Sequence, residues 1–278
     1  MLKFVLTGLG YVSPRHLRAI KDCGGTLVAA MDLHDNVGFL DSYFIECRFF
    51  KDFKKFESFC RNEHPDFFVV CTPNFFHYEH CLVGLRMSAD VICEKPTVLT
   101  STDVSRLIDC EREMERNVFT ILQLRLKKEL LALRSKITSG HKVLLQYYTP
   151  RGPWYAESWK GNSRISGGLA TNIGIHMFDM LLWLFGPEYG SLSVKTNKQT
   201  IEGSFETQKA SISFDLSIDP SKSAIRRLVI DGEAINFTHG FNDLHTESYK
   251  EIISGNGFGL DIVRPSISLC EKIRALKG

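Results

Sequence analysis

The stretch that decides the fold is Leu2-Lys3-Phe4-Val5-Leu6-Thr7-Gly8-Leu9-Gly10-Tyr11-Val12-Ser13, in which an apolar run enters a turn with two glycines. An almost wholly apolar run is typical of a strand that is covered on both faces, as in a parallel sheet. A helix ending at Gly24-Gly25 and a second apolar strand, residues 26–31, are predicted next, and Asp32 follows that strand. This order of strand, glycine turn, helix, strand and acid is typical of a mononucleotide-binding βαβ unit.

The turn itself, Gly8-x-Gly10-x-x-Ser13, has a small serine where a third glycine usually stands. Glycines allow backbone N–H groups and the N-terminus of the helix to approach a pyrophosphate. Asp32 is predicted to accept hydrogen bonds from the adenosine ribose and to repel a 2′-phosphate, so the predicted cofactor is NAD rather than NADP. An ordinary βα turn is the alternative interpretation. The predicted cofactor contacts of this unit are Gly8, Gly10, Tyr11, Val12 and Asp32.

Further βα units follow, with strands predicted near residues 47–50, 67–71, 90–93 and 118–122. Repeated units of this kind predict a parallel sheet whose ligands bind beyond the carboxyl ends of the strands. Seven residues are predicted to reach the cofactor from that edge: Thr72, Pro73, Asn74, His77, Glu94, Lys95 and Gln123.

The pattern changes after about residue 122. One helix, residues 124–139, leads into strands that alternate with turns, and a helix over residues 167–185 interrupts them. We therefore predict an α/β chain with a Rossmann domain that binds NAD, residues 1–122. An α+β substrate domain with a large, mostly antiparallel sheet is predicted over residues 123–278.

Two polar side chains are candidates for proton transfer. Lys95 stands at a strand end and before a proline, where it could hydrogen-bond a reacting hydroxyl; a surface lysine is the alternative. His176 lies four residues after Asn172, so the two share one helix face. A satisfied core histidine is the default interpretation of His176, and the preceding Gly167-Gly168 pair and Asn172 argue against it.

The overall composition excludes several classes of protein. A formal net charge of +2 gives no electrostatic reason to expect nucleic acid as a partner. The sequence has no uninterrupted run of about eighteen apolar residues, so no membrane-spanning segment is predicted. The eight cysteines lack zinc-like spacing. We expect reduced thiols, no metal site and a cytoplasmic location.

Several motifs together resemble those of the glucose-fructose oxidoreductase/inositol dehydrogenase/MocA (Gfo/Idh/MocA) family. They are the glycine turn, Thr72-Pro73-Asn74 with His77, Glu94-Lys95-Pro96, and Gly167-Gly168-x-x-x-Asn172-x-Gly174-x-His176. The resemblance implies that Lys95 and His176 flank the oxidised carbon, with Asn172 in place of the usual aspartate. It also implies that the second domain forms a homo-oligomer, a dimer or a tetramer, through its sheet.

Longer stretches resemble one branch of that family, the UDP-N-acetylglucosaminuronate 3-dehydrogenases (UDP-N-acetyl-2-amino-2-deoxyglucuronate 3-dehydrogenases). They are residues 121–125, 150–161, 170–176 and 243–249. This resemblance implies oxidation of the sugar C3 hydroxyl to a ketone, for the O-antigen or another lipopolysaccharide sugar of a bacterial surface. An aminotransferase that uses pyridoxal phosphate is then expected to consume the ketone.

The loop over residues 150–161 is predicted to hold the anionic sugar nucleotide. Arg151 and Lys160, with Arg125 as a further candidate, would supply countercharge, and the aromatic rings would stack on sugar or uracil. A neutral Asn172 would avoid repelling this substrate and would leave Lys95 easier to deprotonate than an aspartate would. A packing or subunit-interface loop is the alternative. The predicted substrate contacts are Lys95, Arg151, Trp154, Tyr155, Trp159, Lys160, Asn172 and His176.

Two other functions remain open from the residues alone. A dehydrogenase of a free sugar or inositol would keep the fold and the cofactor, but it would be expected to have an aspartate at position 172 and fewer basic residues in the loop. A non-enzymatic NAD sensor would be expected to lack the lysine or the histidine. Lys95 is favoured as the base, and the choice between it and His176 stays open, as does the fate of NADH.

Overall fold

A computed structural model describes residues 1–237 and 243–276 of the chain. The chain divides into two compact units. The first unit consists of Met1–Ile121 and Asp243–Val263, and the second of Leu122–Asn242 and Arg264–Gly278. The predicted second domain, residues 123–278, differs from this division, because the segment Asp243–Val263 packs with the first unit.

The first unit contains a sheet of six parallel strands in the order β3-β2-β1-β4-β5-β6. The strands are β1 (Lys3–Thr7), β2 (Thr26–Met31), β3 (Arg48–Phe50), β4 (Phe67–Val70), β5 (Asp90–Cys93) and β6 (Val118–Thr120). The order reverses between β1 and β4, and this is where a doubly wound sheet opens a ligand crevice beyond its strand ends.

Helices connect and cover these strands. They are α1 (Ser13–Asp22), α2 (Gly38–Tyr43), α3 (Phe53–Glu63), α4 (His77–Arg86) and α5 (Ser101–Met114). Local chemistry fixes their starts: Pro14 occupies the first turn of α1, and the Thr100 side chain accepts a hydrogen bond from the Asp103 backbone N–H at the start of α5. Apolar side chains such as Phe4, Leu6 and Val69 form the core between helices and sheet.

The second unit contains a six-stranded mixed sheet in the order β12-β11-β7-β10-β9-β8. Among the strand pairs of the described residues, only β7 and β10 run parallel, so the sheet is mostly antiparallel, as predicted. The strands are β7 (His141–Tyr148), β8 (Tyr189–Thr196), β9 (Thr200–Thr207), β10 (Ala210–Ser217), β11 (Ile225–Ile230) and β12 (Glu233–Ile235). The predicted α/β fold class, with a Rossmann sheet and a second, mostly antiparallel sheet, is confirmed.

The remaining helices are α6 (Lys128–Arg134), α7 (Trp154–Glu157), α8 (Ser163–Ser166), α9 (Ile175–Phe185), α10 (Leu244–Ile253) and α11 (Leu260–Ala275). The helix predicted over residues 124–139 is shorter in the structure: a 3₁₀ turn, Gln123–Leu126, precedes α6, and α6 ends at Arg134.

The helical run Ser163–Phe185 is long and apolar enough, by length and composition, to span a membrane, although no membrane-spanning segment was predicted from the sequence. However, 78% of its most apolar window is buried inside the protein. Gly174 explains part of this close packing, since an added Cβ there would lie 2.7 Å from the Phe178 ring and 2.9 Å from Leu216. The burial is typical of the core helix of a globular unit.

Candidate active site

The glycine turn after β1 is shaped by close contact with the end of β4. Gly8 has a φ of +92°, and a Cβ there would lie 2.7 Å from the backbone of Cys71 and Thr72. An L-residue with a side chain is disfavoured in that conformation, which explains the glycine. Ser13 is buried and its hydroxyl donates to the Gly10 carbonyl oxygen at 2.8 Å, so the serine closes the turn where a third glycine usually stands.

Asp32 ties this turn to the end of β2. Its carboxylate accepts hydrogen bonds from the backbone N–H groups of Leu9 at 2.6 Å and His34 at 2.8 Å. A carboxylate has about four lone-pair sites, so it can accept ribose hydroxyls as well. A Cβ at Gly10 would meet no atom within 4 Å, and Tyr11 is 83% exposed. The space at Gly10 and the acceptor at Asp32 suit a dinucleotide; the roles of Tyr11 and Val12 stay predictions.

The turns after β4 and β5 are joined by a buried histidine. In His77, Nε2 lies 2.7 Å from the Thr72 carbonyl oxygen and Nδ1 lies 2.6 Å from the Pro96 carbonyl oxygen. Carbonyl oxygens only accept, so a neutral imidazole donates to one of them and an imidazolium to both. Burial lowers the pKa of His77, whereas the two carbonyls oppose that shift. His77 therefore links the turns after β4 and β5 and is itself buried. Pro73 is half-buried and Asn74 buried in the 72–74 turn.

Thr72 makes a second contact, with His80, and the titration of this histidine makes the stability of the protein depend on pH. Its hydroxyl lies 2.9 Å from His80 Nδ1, and the His80 ring stacks on Phe53 at a centroid distance of 4.9 Å. Burial, with a smaller contribution from His77, lowers the pKa of His80 to about 4. The unfolded chain therefore takes up this proton near pH 6.5 while the folded chain does not.

We expect this difference to make stability fall on acidification. Stability due to His80 is complete above pH 6.5 and is lost as the pH falls toward 4, by about 2 kcal/mol between pH 7 and pH 5. His80→Phe keeps the ring stack and removes the proton site. Between pH 7 and pH 5 its free energy of unfolding should therefore fall by about 2 kcal/mol less than that of the wild type. Urea unfolding at both pH values measures this.

Thr72→Val is the matched control for that experiment, because it removes the same hydrogen bond and leaves His80 in place. It should lower stability equally at both pH values. Parallel pH curves for wild type and His80→Phe would contradict the assignment.

Glu94 and Lys95 directly follow β5. Lys95 is half-buried and precedes a cis peptide bond to Pro96. The buried Glu94 carboxylate faces inward: Oε1 lies 2.9 Å from His16 Nε2 and 3.1 Å from His245 Nε2. Its other oxygen accepts from the Lys95 backbone N–H at 3.2 Å. The structure thus gives Glu94 protein partners, where the sequence predicted a cofactor contact.

Gln123 lies in the second unit, in the 3₁₀ turn Gln123–Leu126. Its Oε1 atom is buried and has no hydrogen-bond partner among the described residues. Buried acceptors are usually hydrogen-bonded, so this oxygen is suited to accept a hydrogen bond from a donor on a bound ligand.

Asn172 lies in a short π-helical segment, Ala170–Gly174, directly before α9. It is buried, and its Nδ2 donates to the Tyr155 hydroxyl at 2.8 Å. The Thr171 hydroxyl accepts a hydrogen bond from Arg274 of α11 at 2.7 Å. The π-helical segment is therefore also held by a helix about 100 residues later in the chain. His176 is the second residue of α9 and is half-buried. The structure therefore brings Tyr155 and Asn172 together, a pairing that the sequence did not predict.

The loop over residues 151–160 brings cations and aromatic rings together. The Lys160 ammonium lies over the rings of Trp154 and Trp159, 5.5 and 5.8 Å from their centroids. Burial, and then the nearby Arg151 guanidinium, lower the pKa of Lys160. Trp154 is 50% exposed. Two like charges held close together, with an exposed ring beside them, suit an anionic ligand that carries a flat or apolar group.

Arg125 differs from the prediction. It is nearly buried and forms a two-pronged ion pair with the buried Asp179 of α9, at 2.9 and 2.8 Å. Its charge is therefore neutralised within the protein, and it is not a countercharge for the substrate.

Two family models match most of the chain. Residues 2–121 match the family model of an oxidoreductase family with an NAD-binding Rossmann fold. Residues 141–216 match the model of the C-terminal alpha/beta domain of the same family. The predicted cofactor, NAD, is thereby confirmed.

Solved structures give a more detailed comparison. The WlbA (WbpB) dehydrogenase from Thermus thermophilus in complex with NAD and alpha-ketoglutarate is 41% identical, with a TM-score of 0.96 over 99% of this chain and 96% of that chain. The same dehydrogenase in complex with NAD and UDP-GlcNAcA is 40% identical, with a TM-score of 0.95 over 99% and 95% of the chains.

Among curated proteins, D-glucoside 3-dehydrogenase of Escherichia coli (strain K12) is 30% identical over 128 residues, 44% of this chain and 36% of that protein. The matched stretches span 35–59% of the length of the first such relatives.

Proposed function

This chain belongs to the Gfo/Idh/MocA oxidoreductase family, and from that premise we propose that it oxidises the C3 hydroxyl of UDP-N-acetylglucosaminuronate to the 3-keto sugar with NAD. The observation that carries the proposal is the 40% identity, over 99% of the chain, with a dehydrogenase that binds NAD and UDP-GlcNAcA. The cation and aromatic loop supports the same substrate, because its charges suit a carboxylate and a diphosphate.

The proposed chemistry needs a hydride acceptor, a base and an anion-binding surface. NAD, when bound, supplies the hydride acceptor. We propose Lys95 as the base that takes the hydroxyl proton and His176 as the donor that stabilises the developing oxyanion. Gly8, Gly10, Asp32 and Gln123 are proposed to hold the cofactor, alongside Tyr11, Val12 and the residues of the 72–74 turn.

In the second unit, Arg151 and Lys160 are proposed to bind the acidic groups of the substrate, and Trp154 and Trp159 its sugar or uracil. Tyr155 is better suited to hold Asn172 than to stack on substrate, because it is buried and hydrogen-bonded. This hydrogen bond fixes the orientation of the Asn172 amide, which is a neutral group.

The test of the function uses the full chain with NAD and UDP-N-acetylglucosaminuronate. Mass spectrometry should find a product that has lost two hydrogen atoms, and a C3-deuterated substrate should react more slowly. Reactions with and without a 2-oxoacid show whether NADH is recycled in place. Turnover of free sugars or inositol, with none of the UDP-uronate, would favour the second candidate, which the match to D-glucoside 3-dehydrogenase supports.

Asn172→Asp tests the substrate charge directly. A carboxylate can accept from the Tyr155 hydroxyl, so the fold should persist, but it adds a negative charge to a site that takes an anionic sugar. We expect KM for the UDP-uronate to rise about tenfold, which corresponds to about 1.4 kcal/mol. Steady-state kinetics at low and high salt measure this. An unchanged KM at low salt would contradict the charge argument.

The biological setting is also a proposal. The product, a 3-keto sugar nucleotide, suits an aminotransferase that uses pyridoxal phosphate, on a route to a lipopolysaccharide or O-antigen sugar. We propose a cytoplasmic homo-oligomer, a dimer or tetramer that assembles through the second sheet, with no nucleic acid or membrane as a partner.

A further inference from the structure

Helix α10 buries polar side chains that none of the proposed chemical steps uses. His245 is 5% exposed and Tyr249 is fully buried, although both lie far along the chain from the cofactor turns. The helix packs on α1 of the first unit, where Thr246 also donates to the Asp22 carboxylate at 2.9 Å. Buried polar groups cost stability unless each finds a partner, so their contacts need an explanation.

Those contacts form one continuous chain of hydrogen bonds. The Tyr249 hydroxyl lies 2.8 Å from His16 Nδ1, and His16 Nε2 lies 2.9 Å from Glu94 Oε1. His245 Nε2 reaches the same oxygen at 3.1 Å. The second Glu94 oxygen accepts from the Lys95 backbone N–H. The chain thus runs from α10 and α1 to the backbone of the proposed base.

Only one arrangement of protons fits these contacts with both rings neutral. Burial raises the pKa of Glu94, but the hydrogen bonds from His16 and His245 outweigh it and hold that pKa well below its usual value, so Glu94 is a carboxylate and only accepts. Both Nε2 atoms must then donate. Burial lowers the pKa of His16, so its Nδ1 accepts from the Tyr249 hydroxyl.

We propose that His16 and His245 are positioning residues that hold the Glu94 carboxylate and, through it, the backbone of Lys95 for proton transfer. The inference rests on the proposed function, in which Lys95 is the base. On the other side of Lys95, the carbonyl oxygen of the following residue, Pro96, lies 2.6 Å from His77 Nδ1. The backbone of Lys95 therefore lies between two buried contacts, that of Glu94 with His16 and His245 and that of Pro96 with His77. The segment Asp243–Val263 contributes His245 to the first of them.

A divalent cation is the other occupant that these side chains could accept, since two imidazoles and a carboxylate form a common ligand set. Their ligand atoms lie within 4.8 Å of one another. The observed nitrogen–oxygen distances of 2.9 and 3.1 Å are those of hydrogen bonds, and one proton on each Nε2 atom accounts for both contacts with Glu94. We therefore assign protons here.

The test compares His245→Leu, which removes the donor, with His245→Gln, which keeps an N–H donor on a side chain of similar reach. Thr246→Val is the matched control, because it removes an α10–α1 hydrogen bond and leaves Glu94 untouched. Hydrogen exchange of the Lys95 amide reports its position without any substrate, and kcat, KM and NAD affinity report the consequence.

We expect His245→Leu to speed exchange of the Lys95 amide more than tenfold and to lower kcat about tenfold to a hundredfold, with NAD affinity unchanged. His245→Gln should restore both to within about threefold. Thr246→Val should change stability alone. Loss of stability in His245→Leu with normal Lys95 exchange would overturn the inference, as would one equivalent of bound metal in the wild type. A wild type inactive on the UDP-uronate would instead refute the proposed function, and the exchange result would still decide the inference.

Discussion

Lys95→Ala should abolish turnover while NAD still binds. A positioned base contributes about 10²- to 10⁴-fold to the rate, so kcat should fall by that factor. Lys95 is half-buried after a strand end, and the backbone around it is held by the bond of its N–H to the Glu94 carboxylate and by the contact of the Pro96 carbonyl with His77. Removing the Lys95 side chain should therefore leave the fold and the NAD dissociation constant unchanged. Stopped-flow measurement of NADH formation and calorimetric titration of NAD check the two halves of this prediction.

Lys95→Arg separates the two roles that a lysine could have here. A guanidinium keeps the positive charge but does not lose its proton in proteins. If Lys95 is the base, Lys95→Arg should be nearly as slow as Lys95→Ala. If it acts only as a cation that stabilises the oxyanion, Lys95→Arg should recover much of the rate, and His176→Ala should then be the slower variant. A Lys95→Ala enzyme with a near-normal rate would end both assignments.

The Rossmann unit was predictable because its signals are local. The apolar run at residues 2–7, the glycine turn and Asp32 lie within one βαβ unit, and strand hydrophobicity together with turn chemistry is enough to place them. The cap at Thr100 was predictable for the same reason, since a threonine three residues before an acid needs no distant partner.

What the sequence could not show is which distant groups share a hydrogen bond. Glu94 was expected to contact the cofactor because it ends a strand at the ligand edge, yet its carboxylate takes His245 from a segment about 150 residues later in the chain. Arg125 was considered as a countercharge, but Asp179 neutralises it. In both cases the partner is distant in sequence, and hydrophobic periodicity carries no information about which distant side chains meet.

The motif at residues 243–249 illustrates the same point. Its resemblance to a sugar-nucleotide dehydrogenase branch was visible in the sequence, but its place in the fold was not. Apolar spacing indicates that α10 has a buried face and is silent on what that face contacts. The structure packs that face on α1, which explains why His245, Thr246 and Tyr249 are polar residues in a buried position.

Gly8→Ala and Gly10→Ala should separate folding from cofactor binding. At Gly8 the φ of +92° and the contacts of 2.7 Å with backbone atoms leave no room for a methyl group. The left-handed conformation costs a residue with a side chain about 1–2 kcal/mol, and the overlap adds about 1–3 kcal/mol. Gly8→Ala should therefore lose about 2–5 kcal/mol of stability in the absence of NAD.

Gly10→Ala should behave in the opposite way. Its Cβ would meet no atom within 4 Å and its φ is not in the left-handed region, so stability without NAD should stay within about 0.5 kcal/mol of the wild type. The methyl group would occupy the open space that a pyrophosphate must approach, so NAD affinity should fall at least about tenfold, or about 1.4 kcal/mol. Urea unfolding without cofactor and calorimetric NAD titration of both variants measure the two effects. A Gly10→Ala protein that binds NAD like the wild type would show that this turn does not hold the pyrophosphate.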